Sequence, residues 1–143
     1  MSRFGSLGAA LAMTAALTAS GPATAALTTR SGTFKLTVTI VSDANIPNAT
    51  MFTVRATVGA RGADYSQSEA AQRQVAKTSG SQVVTITVPY LWKLDQPLVS
   101  TATISVSVSA ALASPLSNSA NRSFSTPLPA NGATTPLAAT IRL

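Results

Sequence analysis

Histidine and cysteine are absent from this chain, and its carboxylates are Asp43, Asp64, Glu69 and Asp95. Without histidine there is no usual general base near neutral pH, no usual partner for a nucleophilic serine, and no imidazole for a metal. The lack of thiolates as well excludes the usual zinc and redox centres. Two carboxylates can act as acid and base on a glycoside, and several can ligate calcium through oxygen. The spacing of these four matches neither a calcium loop nor a paired-acid motif, so they read as solvated loop acids.

Lys35, Lys77 and Lys93 coexist with many serines, yet none lies three positions after a serine, the spacing of a serine–lysine nucleophile motif. Gly59 and Gly62 flank Arg61 without the Lys-Ser/Thr ending of a phosphate loop. Arg55, Arg61 and Arg73 with Tyr65 lack the aromatic platform on which single-stranded nucleic acid stacks. Nothing here builds an active site, and the expectation is a non-enzymatic protein with no cofactor and no metal.

What remains is binding chemistry. Tyr90-Leu91-Trp92 contains the only tryptophan; adjacent large apolar residues after a strand-ending proline suit a loop that contacts a partner, and the alternative is that the lone tryptophan closes one end of a sandwich core. A second candidate is TATISVSVSA, residues 101–110, where Thr101, Thr103, Ser105, Ser107 and Ser109 form a charge-free hydroxyl face. At a sheet edge that stretch would be a strand-pairing surface; at a sheet centre it would be scaffold.

The elements that position these residues are strands. Period-two alternation marks 33–41, 51–58, 81–88, 101–110 and 137–143, with Phe34, Leu36, Val38 and Ile40 on one face of the first. Residues 70–77 read as a strand that forms a hairpin with 81–88 through the turn Thr78–Ser81, and 121–126 as a short strand. Residues 59–69, 89–97 and 127–136 read as loops, and Pro89 closes the strand before it. Seven short strands, each with one apolar face, predict an all-β, antiparallel, immunoglobulin-like sandwich.

The first 25 residues predict a different fate. Arg3, an apolar run through Leu17 and the small-x-small triplet Ala23-Thr24-Ala25 have the form of a cleavable signal peptide. The expectation is therefore a leader, 1–25, and one exported sandwich domain, 26–143, in the periplasm, at the cell surface or outside the cell. The chain carries a formal charge of +6, with its cations dispersed rather than gathered into a patch, which reads as solubility. Asn48-Ala49-Thr50 and Asn121-Arg122-Ser123 are glycosylation triplets of a kind common by chance in a Ser/Thr-rich sequence.

Ile46-Pro47-Asn48-Ala49, a strand, Gln82 to Tyr90 and a second alternating strand together resemble small periplasmic β-sandwich lipoproteins of the secretion-pilotin type. The resemblance spans about half of residues 26–143 and implies the sandwich class; the lipid-carrying cysteine of that family is absent, and position 26 is Ala. The resulting expectation is binding or structural association at the bacterial cell envelope, with a protein or polysaccharide partner. Neither nucleic acid nor a membrane-spanning segment is expected. A surface-polymer subunit, self-associating through an edge strand, and a carbohydrate-binding module are the alternatives. Thr-x-Thr pairs at 37/39, 85/87 and 101/103 resemble ice-binding arrays, but no repeat holds them in a common register.

Overall fold

The computed structural model describes residues 26–112 and 118–143; the expected leader and part of the loop after Ala110 lie outside them. Seven strands, and no helix among the described residues, form two sheets. They are β1 (Leu27–Val41), β2 (Met51–Arg61), β3 (Ser66–Ala76), β4 (Ser81–Asp95), β5 (Thr101–Ala110), β6 (Asn118–Pro127) and β7 (Ala133–Arg142). One sheet runs β4-β1-β7 and the other β3-β2-β5-β6.

The apolar alternation sets the core. Phe34, Leu36, Val38 and Ile40 of β1 lie against Phe52, Val54, Ala56 and Val58 of β2 and Ala102, Ile104, Val106 and Val108 of β5, all fully buried. Each buried Val or Ile stabilises by roughly 1.5–3 kcal/mol before ordering costs are counted, so the three middle strands carry most of the cohesion.

Three expectations are corrected. Residues 70–77 and 81–88 do not form a hairpin: β3 pairs with β2 and β4 with β1, so the turn at Thr78–Ser81 crosses between the sheets. The sheets are not wholly antiparallel, because β7 runs parallel to β1, pairing Leu36 with Leu137 and Ile40 with Ile141. Alternation reports that one face is buried and carries no information about strand direction. Nor does Pro89 end β4, which continues to Asp95. The backbone N–H of Lys93 and the carbonyl of Thr85 bond to side chains on the side away from β1. Residues 85, 89 and 93 share one parity, so Pro89 turns its hydrogen-free nitrogen to that same side, the position a strand tolerates.

The expected loop 59–69 contracts to Gly62–Tyr65, with Arg61 paired to Ser66 in a β2–β3 hairpin. Asp95 organises this turn. Its carboxylate accepts the N–H groups of Asp64 at 2.7 Å and Tyr65 at 3.1 Å. At the opposite end Lys77, also buried, donates from Nζ to the carbonyl oxygens of Asp43 (3.0 Å) and Ile46 and so fastens the β1–β2 loop.

Candidate functional site

The residues expected to contact a partner separate by strand geometry. Tyr90-Leu91-Trp92 lies within β4, so successive side chains point to opposite faces. Tyr90 and Trp92 face the core and Leu91 is 58% exposed. Tyr90 stacks on Trp92 with ring centroids 4.1 Å apart, and Phe34 closes the cluster at 5.1 Å from Tyr90 and 6.1 Å from Trp92. A Cβ on Gly32, the register partner of Tyr90, would stand 2.5 Å from the phenol oxygen; only glycine leaves the ring that room. Burial pushes the Tyr90 phenol up, and the nearby Arg30 guanidinium opposes part of that shift. Among the described residues, Arg30 Nε, Tyr90 Oη and Trp92 Nε1 are buried and find no hydrogen-bond partner. The tyrosine and tryptophan of the expected contact loop are thus core residues closing one end of the sandwich.

The hydroxyl stretch is likewise relocated. β5 lies between β2 and β6 and is paired along both sides, so it has no edge to offer. Its outward residues Thr101, Thr103, Ser105, Ser107 and Ser109 belong to a polar outer face shared by four strands. Read across the sheet, Ser68, Gly59, Thr103 and Ser125 form one row, and Ala70, Thr57, Ser105 and Ser123 the next. Gln72, Arg55, Ser107 and Asn121 form a third, followed by Gln74, Thr53, Ser109 and Ser119. A recess of about 360 Å³ opens on this face where Gly59 lacks a side chain, lined in part by Arg61, Ser68, Thr101 and Thr103. It contains neither a carboxylate nor an aromatic ring.

The four acids are placed separately. Asp43 accepts the N–H of Asn45 two residues on, Glu69 lies on β3, Asp64 sits in the β2–β3 turn and Asp95 is buried beneath it. No group of three or more acids that could hold a metal ion occurs among the described residues.

The feature missed in the sequence is the contrast between the two sides of the sandwich. On one side the edges of β3 and β4 are stitched by side chains. Gln67 Oε1 accepts the Lys93 N–H at 2.6 Å, Arg73 donates to the Thr85 carbonyl at 3.2 Å, and Gln82 donates to the Ala76 carbonyl at 3.2 Å. Pro89 removes a further donor there.

On the other side β6 and β7 are the edges of their sheets, and no hydrogen bond joins them among the described residues. Ala120 and Phe124 of β6 and Leu137 of β7 are only half-buried along this opening. Pro136 lies within β7 and leaves its free side one donor short, since a proline survives in a ladder only with its nitrogen turned to that side. β6 has no proline before its last residue, Pro127, carries Arg122 at an inner position opposite Val106, and receives no hydrogen bond from the other sheet among the described residues. An unpaired strand of this kind presents a row of free N–H and C=O groups, a template for another strand.

No protein-family model matches the chain, and neither a curated protein nor a solved structure does.

Proposed function

We propose that this protein is a non-enzymatic, exported β-sandwich that works by structural association at the cell envelope through its open β6–β7 side. The observation that carries this reading is the asymmetry of the edges: three side-chain bonds close one side, while among the described residues no hydrogen bond closes the other, where Phe124 of β6 and Leu137 of β7 are only half-buried. Globular domains ordinarily blunt every edge, because a free one recruits other chains. Retaining one suits a protein that recruits a strand.

The sandwich is read as immunoglobulin-like. Support comes from the strand order, in which β3-β2-β5-β6 follows the C′-C-F-G sequence of such domains and β4-β1 follows E-B. β7 takes the place beside β1 that a first strand would hold, with the opposite direction. Export rests on the leader-like first 25 residues. The resemblance to secretion-pilotin-type lipoproteins supports the sandwich class and no more, because the anchoring cysteine is missing.

Co-sedimentation of residues 26–143 with an envelope fraction of the producing cell tests the reading. Replacing exposed Ser119 and Ser123 of β6 with lysine, which blunts an edge by charge, is expected to abolish retention. Replacing exposed Ser68 and Gln72 of β3 with lysine is expected to leave it intact. Equal retention of both variants, or no retention of the wild type, contradicts it.

A further inference from the structure

We propose that the outer face of sheet β3-β2-β5-β6 binds an acidic polysaccharide, a uronate chain laid along β2 between Arg55 and Arg61. This binding leaves the β6–β7 side free, so it goes beyond the association reading and does not depend on it.

The charge of the face has one sign. Arg55 and Arg61 are exposed and point outward from β2, and no carboxylate takes an outward position on the four strands. Glu69 stands at an inner position of β3 opposite Val58, Asp43 lies in the β1–β2 loop, Asp64 in the turn beyond Arg61, and Asp95 is buried. The outer face of β4-β1-β7 also carries cations, but Lys35, Lys93 and Arg142 lie on three different strands. Only on β2 do two cations mark the ends of a single track.

Two small residues give that track its relief. Where Gly59 has no side chain, a recess of about 360 Å³ opens beside Arg61, lined also by Ser68 and Thr103. Where Ala70 has only a methyl group, a second of about 250 Å³ opens beside Arg55 and Gln72. The register sets Gly59 against Ser68 and Thr57 against Ala70, so the recesses lie in neighbouring rows. The arginines flank them, roughly 20 Å apart along the strand.

These features select the ligand. A guanidinium matches a carboxylate through two parallel hydrogen bonds, and two guanidiniums at this separation are engaged together by one extended chain, which a small anion cannot do. Between them the outward side chains are hydroxyls and amides, among them Thr57, Ser68, Gln72, Thr103 and Ser105, which donate to and accept from sugar hydroxyls. No aromatic ring stands outward on the four strands for a nucleobase to stack on, and between the arginines nothing apolar exceeds the Ala70 methyl, so an acyl chain finds no bed. A polymer that carries carboxylates and hydroxyls together fits where nucleic acid and lipid do not. Two exposed arginines form a site that salt releases, so retention by a sedimented fraction stays with the β6–β7 side.

Isothermal titration of residues 26–143 with a polygalacturonate oligosaccharide tests this. The oligosaccharide is expected to bind about tenfold or more tightly than galacturonic acid itself, and about 0.5 M salt is expected to abolish binding. Arg55→Ser combined with Arg61→Ser should lower affinity about tenfold, and Thr57→Glu, which sets a carboxylate in the middle of the track, should do the same. Lys35→Ser combined with Arg142→Ser removes the same charge from the opposite sheet and should leave affinity within about twofold.

No binding by the wild type, or equal losses in the two double variants, overturns the proposal, the latter because it marks attraction to net charge alone. Tighter binding of a single-stranded oligonucleotide or of anionic phospholipid vesicles overturns the choice of ligand. Ser119→Lys with Ser123→Lys keeps both arginines and is expected to bind the oligosaccharide undiminished, so failure of the association reading and failure of this one are read in different variants.

Discussion

Gly62 lies against Asp95 so closely that a Cβ on the glycine would overlap the Oδ1 and the backbone of the aspartate. The contact lets the β2–β3 turn settle onto the end of β4, where the carboxylate collects backbone N–H groups. Gly62→Ala forces either the turn or Asp95 to move. A loss of about 1–3 kcal/mol is expected, as for overpacked interiors, read as a lowered denaturation midpoint with an unchanged slope. An unchanged midpoint would show that the turn does not depend on this approach.

The charge of Asp95 gives a pH signature. Burial would raise its pKa, but N–H groups of Asp64, Tyr65, Asp95 itself and Ala63 more than compensate and hold it below the ordinary carboxylate value. A depressed folded-state pKa contributes stability that is present above the unfolded value, near about 3.9, and is lost as pH falls through the folded one. The wild-type melting temperature is therefore expected to fall on acidification below about pH 4. Asp95→Asn is expected to be less stable at neutral pH and to lose less on acidification; parallel curves for the two proteins would contradict this.

Adjacent residues of β4 are expected to respond in opposite ways. Trp92→Ala empties a fully buried site in the aromatic cluster and should cost about 3–5 kcal/mol. Leu91→Ser, one position along on the exposed face, should change stability by no more than about 0.5 kcal/mol. Urea denaturation of both variants checks the pair, and comparable losses would mean that Leu91 is not the outward residue.

Lys77 fastens the β1–β2 loop. Lys77→Ala removes the Nζ donor from the Ile46 carbonyl, a penalty of about 1–3 kcal/mol for a buried acceptor that water fails to reach, whereas the Asp43 carbonyl keeps the Ile46 N–H at 3.2 Å. Amides of residues 43–50 are expected to exchange faster in the variant while those of β5 keep their relative protection. Uniform acceleration throughout the sandwich would locate the effect elsewhere.

Much of the strand pattern was legible because an apolar side chain on every second residue has few other outcomes. The 101–110 strand is found with the boundaries its alternation implies, and Ala139 and Ile141 of the last strand are buried as their phase requires. Prolines misled in one direction. Pro89 and Pro136 read as strand ends or loop residues, yet both lie within strands whose free side accommodates a missing N–H.

What alternation leaves undetermined is which strand lies beside which. By sequence the hydroxyl face of β5 is therefore an edge candidate, which its two ladders place inside the sheet, and β6 reads only as a short strand of polar residues. The signal that favours β6 was present but silent: of the strands that prove to be edges, β4 and β7 carry internal prolines and β3 carries the Gln67 and Arg73 side chains that reach β4. Sequence alone does not reveal that these four are the edges.

Hydrogen exchange on residues 26–143, with and without the envelope fraction, tests most directly whether the open side is the side that associates. Slowed exchange is expected at amides of β6, with β3 and β4 unchanged because their edges are already bridged by side chains. Slowing at β3 and β4 with β6 unaffected, or no slowing on any strand, would contradict it.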